Sequence, residues 1–244
     1  MKDLFSRDPV SYASYRPKYP IELFQFLSEI CDEKYVAWDC ATGNGQAASA
    51  LSDYFEKVVA TDISEAQLKN AIQKHNISYA LSGLRCPLND NSVDLVTVAQ
   101  ALHWLPLNEF YNEVKRVGKK RGIIAVWCYQ LPKAGENLDT IIEHFYAKTL
   151  QGCWDEGRKD VDNGYSNISF PFLHIPSPEF QILVKWNPEQ LIGYIKTWSA
   201  IPTYIAIHGT DPISALYTSL QQNWGSQLEI TFRFPLRVRI GYIH

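Results

Sequence analysis

The chain has 244 residues, 46% of them apolar and 20% charged, with a formal net charge of −3 at pH 7. That length and composition suit one globular core without a disulfide or metal staple, and exclude a fibrous repeat or a largely disordered chain. The lack of a Lys/Arg excess argues against a nucleic-acid-binding face and for a small-molecule partner.

Cys31, Cys40, Cys86, Cys128 and Cys153 are scattered and form no C-x-x-C pair. This reads as reduced thiols in a cytoplasmic protein, with no disulfide framework and no metal site. Met1 to Tyr15 has no apolar run of signal-peptide type, and no stretch has the length to span a bilayer, so no membrane partner is expected.

Ile21, Phe24, Leu27 and Ile30 recur at helical spacing, with Pro20 at the first helical position. Tyr35 to Asp39 is a short apolar strand ending in a carboxylate, followed by a glycine-bearing turn and a small-residue helix from Gln46 to Phe55. Lys57 to Thr61 reads as a second strand closed by Asp62, and Ser64 caps a helix running to about His75, with Gln67 in the capping-box position. Ile77 to Leu81 is a third strand and, after a turn over Pro87 to Ser92, Val93 to Ala99 is a fourth. Pro106 opens a helix carrying Phe110, Val114 and Val117 that stops at Gly118, and Gly122 to Trp127 is a fifth strand.

Beyond Gln130, Leu138 to Leu150 is helical, and Gln151 to Pro178, rich in Gly, Asn, Asp, Ser and Pro, reads as a small lid insertion. Phe180 to Trp186 is a strand, Pro188 to Trp198 and Pro212 to Trp224 are helices, and Glu229 to Ile240 is a terminal strand. Arg233, Arg237 and Arg239 put three charges on one face of what reads as an edge strand, with no ligand assigned. The whole predicts an α/β fold: a doubly wound, mostly parallel seven-stranded sheet with helices on both faces and an antiparallel C-terminal hairpin.

The turn Asp39-Cys40-Ala41-Thr42-Gly43-Asn44-Gly45 carries the most information. Gly43 and Gly45 let the backbone approach a ligand that a Cβ atom would exclude, and the amides of the following helix face that ligand. Alone, the turn is compatible with NAD, FAD, other nucleotides, or no ligand. Asp62, 23 positions after Asp39, can accept hydrogen bonds from both ribose hydroxyls of an adenosine, though beside Ser64 it also reads as a helix cap. A dinucleotide site needs a third glycine near position 48, where Ala47 and Ala48 stand, so an adenosyl ligand without pyrophosphate fits better.

At this point the sequence resembles the class I S-adenosylmethionine-dependent methyltransferases. Asp39 to Gln46 looks like their motif I, Asp62 matches the acidic ribose ligand, and Gly83-Leu84-Arg85-Cys86-Pro87-Leu88 lies where the family has A-E-x-L-P-F. Tyr15-Arg16-Pro17-Lys18-Tyr19-Pro20, Gln100-Ala101-Leu102-His103-Trp104 and Tyr194-Ile195-Lys196-Thr197-Trp198-Ser199-Ala200 narrow the likeness to the trans-aconitate methyltransferase-like branch of the type 11 group, across nearly the whole chain.

The resemblance implies a single methyltransferase domain over 1–244, with an N-terminal cap over the cofactor (1–34), a cofactor-binding core (35–130), a lid and substrate insertion (131–178) and completion of the sheet (179–244). It implies S-adenosyl-L-methionine as cofactor, contacted by Tyr15, Arg16, Asp39, Ala41, Gly43, Gly45, Gln46, Asp62, Ile63, Gln67, Gly83, Leu84, Ala99 and Gln100. Tyr19 belongs to the same closing segment as Tyr15 and Arg16. Ala41 replaces the first motif glycine, which a methyl group tolerates at negative φ. Leu84 replaces the usual acidic residue, leaving the backbone to contact adenine.

In such enzymes the methyl group is already activated, and displacement needs mainly alignment of an acceptor O, N or C. A carboxylate acceptor needs no base, whereas a phenol or amine benefits from one. His103, near the C-terminal end of a strand where open α/β folds bind ligands, is the candidate base or substrate ligand, a structural histidine beside Trp104 being the alternative. His103 and Trp104 are therefore the catalytic candidates. With Tyr129, Tyr194 and Trp198 they are also the expected substrate contacts, Trp104, Tyr129, Tyr194 and Trp198 either walling an apolar acceptor pocket or stacking on the sulfonium as cation–π partners, with core packing an equal reading for each aromatic.

The expected function is methyl transfer to a small-molecule acceptor, with a carboxylate hinted at by the resemblance. Within Gln151 to Pro178 only Arg158 and Lys159 are noted as basic side chains. A catalytically silent cofactor-binding regulatory module is the main alternative. A nicotinamide-dependent oxidoreductase is disfavoured by Ala47 and Ala48, and a nucleic-acid methyltransferase by the net charge. Monomer and homodimer are both compatible with the chain.

Overall fold

The computed structural model describes residues 15–244, so most of the Met1 to Tyr15 stretch, and the start of the expected cap, lie outside the described residues. Helix α1 spans Ile21–Ile30, with Pro20 as its extended N-cap rather than its first helical residue. Its buried face is Leu23, Phe24 and Leu27, while Ile21 stands 53% exposed, so the apolar stripe is rotated from the expected one.

The chain then alternates strand and helix: β1 (Val36–Cys40), α2 (Gln46–Leu51), β2 (Lys57–Asp62), α3 (Glu65–Lys69), β3 (Ile77–Leu81), β4 (Val93–Ala99), α4 (Leu107–Val117) and β5 (Gly118–Tyr129). Ser64 caps α3 by accepting from the Gln67 amide. This helix stops well short of His75, and just beyond it the Ile72 amide turns back to the Asn44 carbonyl at 3.1 Å. Strand β5 starts directly from α4, four residues earlier than expected, through a register shift opposite Val93 and Leu95 with Arg121 at φ 67°.

The second half comprises α5 (Glu136–His144), a π-helical turn (Phe145–Thr149), α6 (Arg158–Asp162), β6 (Leu173–His174), β7 (Phe180–Trp186), α7 (Pro188–Lys196), α8 (Ala200–His208), α9 (Ile213–Asn223) and β8 (Ile230–Tyr242). Asn187 and Gln190 form a reciprocal capping box at the start of α7. Helix α8 was invisible to periodicity because Ala-Ile-Pro-Thr-Tyr-Ile-Ala-Ile is apolar on every face, and Pro202 is tolerated there because it falls in the first turn.

The strand order is β3-β2-β1-β4-β5-β8-β6, with β7 alongside β8. The first five strands are mutually parallel, and β8 runs antiparallel to β5, β6 and β7. Among the described residues the sheet thus has eight strands where seven were expected, the added one being the two-residue β6 from the insertion. Alternation along β5 sends Ile123, Ala125 and Trp127 into a core shared with α1 and α2, and Ile124, Val126 and Cys128 into a second core with Phe110, Val114 and Val117 of α4. Each of the Ile, Val and Phe side chains among them, fully withdrawn from water, stabilises by ~1.5–3 kcal/mol.

Strand β8 is flanked on both sides, which corrects the edge-strand reading of its arginines. Arg239 Nη1 donates to the Tyr165 and Ile168 carbonyls, both at 2.6 Å, and the Arg237 stem lies where a side chain on Gly164 would be. The two arginines latch the insertion to the sheet. All five cysteines are buried and free. Among the described residues no helix is long and apolar enough to cross a membrane, and no three His, Cys, Asp or Glu side chains gather as a metal site.

Candidate active site

The C-terminal ends of β1, β2, β4 and β5 open onto one cleft, the place where parallel sheets of this type bind ligands. The turn after β1 is left-handed at three positions, Ala41 (φ 55°), Gly43 (φ 57°) and Gly45 (φ 80°). Tolerance of Ala41 rested on a negative φ, so its methyl group is carried at a conformational cost that glycine avoids. A side chain on Gly43 would meet nothing within 4 Å, which leaves its backbone open to the cleft, whereas one on Gly45 would strike the Tyr79 hydroxyl. The turn is tied to β2 by the Thr42 amide on the Thr61 carbonyl (3.0 Å) and by Asp62, whose two carboxylate oxygens accept from Gly43 and Ser64, each at 2.8 Å.

Asp39 does not line the cleft. It is buried beneath the turn, accepting from the Thr42 hydroxyl at 2.5 Å and the Thr97 hydroxyl at 2.8 Å. Burial pushes its carboxyl up from 3.8 to about 6, with the two hydroxyls opposing.

Of the other residues expected at the cofactor, Arg16, Ala41, Gln46, Ile63, Gln67, Gly83, Ala99 and Gln100 line the cleft with Gly43 and Asp62, whereas Tyr15, Gly45 and Leu84 do not. Leu84 packs on the second core, and Tyr15 is exposed, its ring lying over Gly193. The loop after β3 is held by Arg116, which donates to the Leu88 carbonyl (3.0 Å) and pairs with Glu113 and Asp90. Gln100 is left-handed (φ 57°), its amide donating to Trp127 O and its side-chain oxygen accepting from Tyr129 N, both at 2.8 Å. A strained non-glycine at a strand end is typical of a functional site.

At the other end of the cleft stand His103, Trp104, Tyr129 and Trp198. Tyr194 is buried behind them, 5.8 Å from the Trp198 ring and under the Arg16 guanidinium at 5.5 Å. Arg16 donates to Tyr129 Oη (2.6 Å) and Thr197 O (3.0 Å), so it joins β5 to the end of α7. His103 Nδ1 meets the Tyr165 hydroxyl at 3.1 Å. Burial, aided by the Arg158 charge, lowers its imidazole from 6.5 to about 3, so the ring is neutral at physiological pH.

The rest of this wall comes from the insertion, where the sequence marked only Arg158 and Lys159, as basic side chains without an assigned role. Trp154, Asp155 and Arg158 of the insertion line the cleft, whereas Lys159 is exposed and does not. Arg158 lies over the rings of Tyr146 (5.0 Å) and Trp154 (4.9 Å), and its Nε donates to Tyr146 Oη (2.7 Å) and Asp162 Oδ1 (3.1 Å). The Tyr146 hydroxyl in turn donates to Asp162 at 2.7 Å. The signal available was the four-residue spacing of Trp154, Arg158 and Asp162, which puts them on one face of any helical stretch. Nothing local pointed to Thr97 or Tyr146.

An open, doubly wound sheet with a glycine turn and a strand-end carboxylate at its C-terminal edge is a nucleotide-binding architecture, which class I methyltransferases share. A sequence family described as a methyltransferase domain matches residues 38–126. A methyltransferase of Dictyostelium discoideum is 32% identical over 243 residues, 96% of this chain and 92% of that protein. A S-adenosylmethionine-dependent methyltransferase of Saccharomyces cerevisiae is 27% identical over 154 residues, 58% of this chain and 53% of that protein. The solved structure of a type II methyltransferase from Anaeromyxobacter dehalogenans superimposes with a TM-score of 0.88 at 32% identity, covering 94% of this chain and 98% of that one. The chain belongs to the S-adenosylmethionine-dependent methyltransferase family, and S-adenosylmethionine is its cofactor.

Proposed function

We propose that the protein methylates a small-molecule carboxylate on oxygen by direct in-line displacement. The observation that carries this reading is the setting of His103, which lines the cleft with Nδ1 3.1 Å from the Tyr165 hydroxyl and is kept neutral by burial and by the Arg158 charge. A general base works best with a pKa near the operating pH, and an imidazole lowered to about 3 is too weak to deprotonate a phenol or an ammonium group. A carboxylate acceptor arrives already ionised and needs only to be held. The net charge of −3 and the aromatic wall of the cleft favour a small molecule over a nucleic acid. The narrower likeness to trans-aconitate methyltransferases agrees with an acid as acceptor and stands as part of this proposal.

In this reading 35–130 is the cofactor core and 131–178 supplies the acceptor wall. The residues present fit the cofactor: the open backbone at Gly43 accommodates a close ligand, Asp62 receives ribose hydroxyls, Gly83 offers backbone to a base, and Asp39 supports the turn from beneath. When bound, the cofactor supplies an activated methyl group. His103 and Trp104 orient the acceptor, His103 as a neutral hydrogen-bonding group steadied by Tyr165. The test is product analysis with methyl-labelled cofactor and matched panels of carboxylic acids, phenols and amines. Base-labile methyl esters are expected, and transfer confined to phenols or amines overturns the proposal.

A further inference from the structure

Arg158 is held in a way that leaves a specific part of it open. Its guanidinium lies 5.0 Å from the Tyr146 ring and 4.9 Å from the Trp154 ring, which pack on each other at 4.5 Å, and Nε is used on Tyr146 and Asp162, yet neither Nη atom makes a hydrogen bond with any described residue. The other arginine lining the cleft, Arg16, has both Nη atoms engaged, on Tyr129 and Thr197. Arg158 lines the cleft with the Nη edge of its guanidinium unbonded, which is enough for one bidentate carboxylate. Asp155 lines the same cleft, and its negative charge disfavours a second carboxylate there. Trp154, beside the guanidinium, packs on Trp198 at 5.6 Å, and Trp104 and Leu105 line the same cleft. Water is a poor partner for such rings, and an apolar body covers them favourably.

We infer that the acceptor is a monocarboxylate with an apolar body, anchored on the open edge of Arg158, and that Tyr146 and Asp162 position that arginine. This rests on the carboxylate reading above and narrows it. The π-helical turn Phe145–Thr149 is what brings Tyr146 to Arg158, in keeping with the frequent use of such turns at functional sites.

The test is quenching of tryptophan fluorescence in the full chain saturated with S-adenosylhomocysteine, titrated with phenylacetate, hexanoate, succinate, tricarballylate and the neutral phenylacetamide. Phenylacetate and hexanoate are expected to bind at least ~10-fold more tightly than succinate, tricarballylate and phenylacetamide. Arg158→Gln is expected to abolish the preference for phenylacetate over its amide while S-adenosylhomocysteine binding persists. Tyr146→Phe and Asp162→Asn, which leave the guanidinium in place, are expected to raise the acceptor KM several-fold with little change in kcat, and they carry the test if Arg158→Gln fails to fold. Tighter binding of succinate or tricarballylate overturns this inference and leaves the carboxylate reading intact. Equal binding of acid and amide, or no binding of any acid, overturns both.

Discussion

Asp62 accepts a hydrogen bond from the Gly43 amide at 2.8 Å, joining the end of the second strand to the glycine turn of the first. Its other oxygen accepts from Ser64 at the same distance, so a single carboxylate sets both the turn and the start of α3. Asp62→Ala removes these bonds and the proposed ribose contact together. Charge-assisted hydrogen bonds contribute ~1.5–3 kcal/mol each, so binding of S-adenosylhomocysteine by calorimetry should weaken ~10–100-fold or more. Unchanged affinity would mean that the cofactor lies elsewhere.

Ala41 at φ 55° occupies a backbone region that costs a non-glycine residue ~1–2 kcal/mol. Glycine removes that strain but loses more chain entropy on folding, by ~0.5–1 kcal/mol. Ala41→Gly is therefore expected to be neutral to stabilising by ~1 kcal/mol. Urea denaturation measures it, and a clear loss of stability would contradict the left-handed turn.

The buried Asp39 makes stability fall as pH rises. Its folded pKa of about 6 exceeds the unfolded value of 3.8, so the folded state holds the extra proton between these limits and loses relative stability as that proton leaves. Two units correspond to ~3 kcal/mol, an order-of-magnitude figure. Asp39→Asn cannot ionise. It is expected to gain on the wild type by that order between pH 4 and pH 7 in paired denaturation curves, and a constant difference across the window would refute the shift.

His103 has its folded pKa lowered from 6.5 to about 3, so stability due to the neutral ring is complete above 6.5 and is lost as pH falls toward 3. Between pH 6 and 9 the ring does not titrate in the folded state. The kcat profile for a carboxylate acceptor should accordingly be flat there, and an inflection near 6.5 that disappears in His103→Gln would restore the general-base role.

Much of this protein is legible in its residues taken locally. The five parallel strands, the capped α3, the proline-opened α7 and the glycine turn with Asp62 all follow from period, helix-start signals and turn geometry, which act over a few positions. These determine the fold class and the position of the turn. What required the tertiary structure depends on partners far apart in the chain. Asp39 and Thr97 are 58 residues apart, and their contact, with Thr42, places Asp39 under the turn rather than in the cleft. His103 and Tyr165 are 62 apart, and their burial beside Arg158 makes the histidine a neutral group. Strand β8 became an interior strand only through pairing on both sides, and its arginines became latches. Burial and charge proximity, which set ionisation and side-chain role, are properties of the assembled packing and have no local pattern in the sequence.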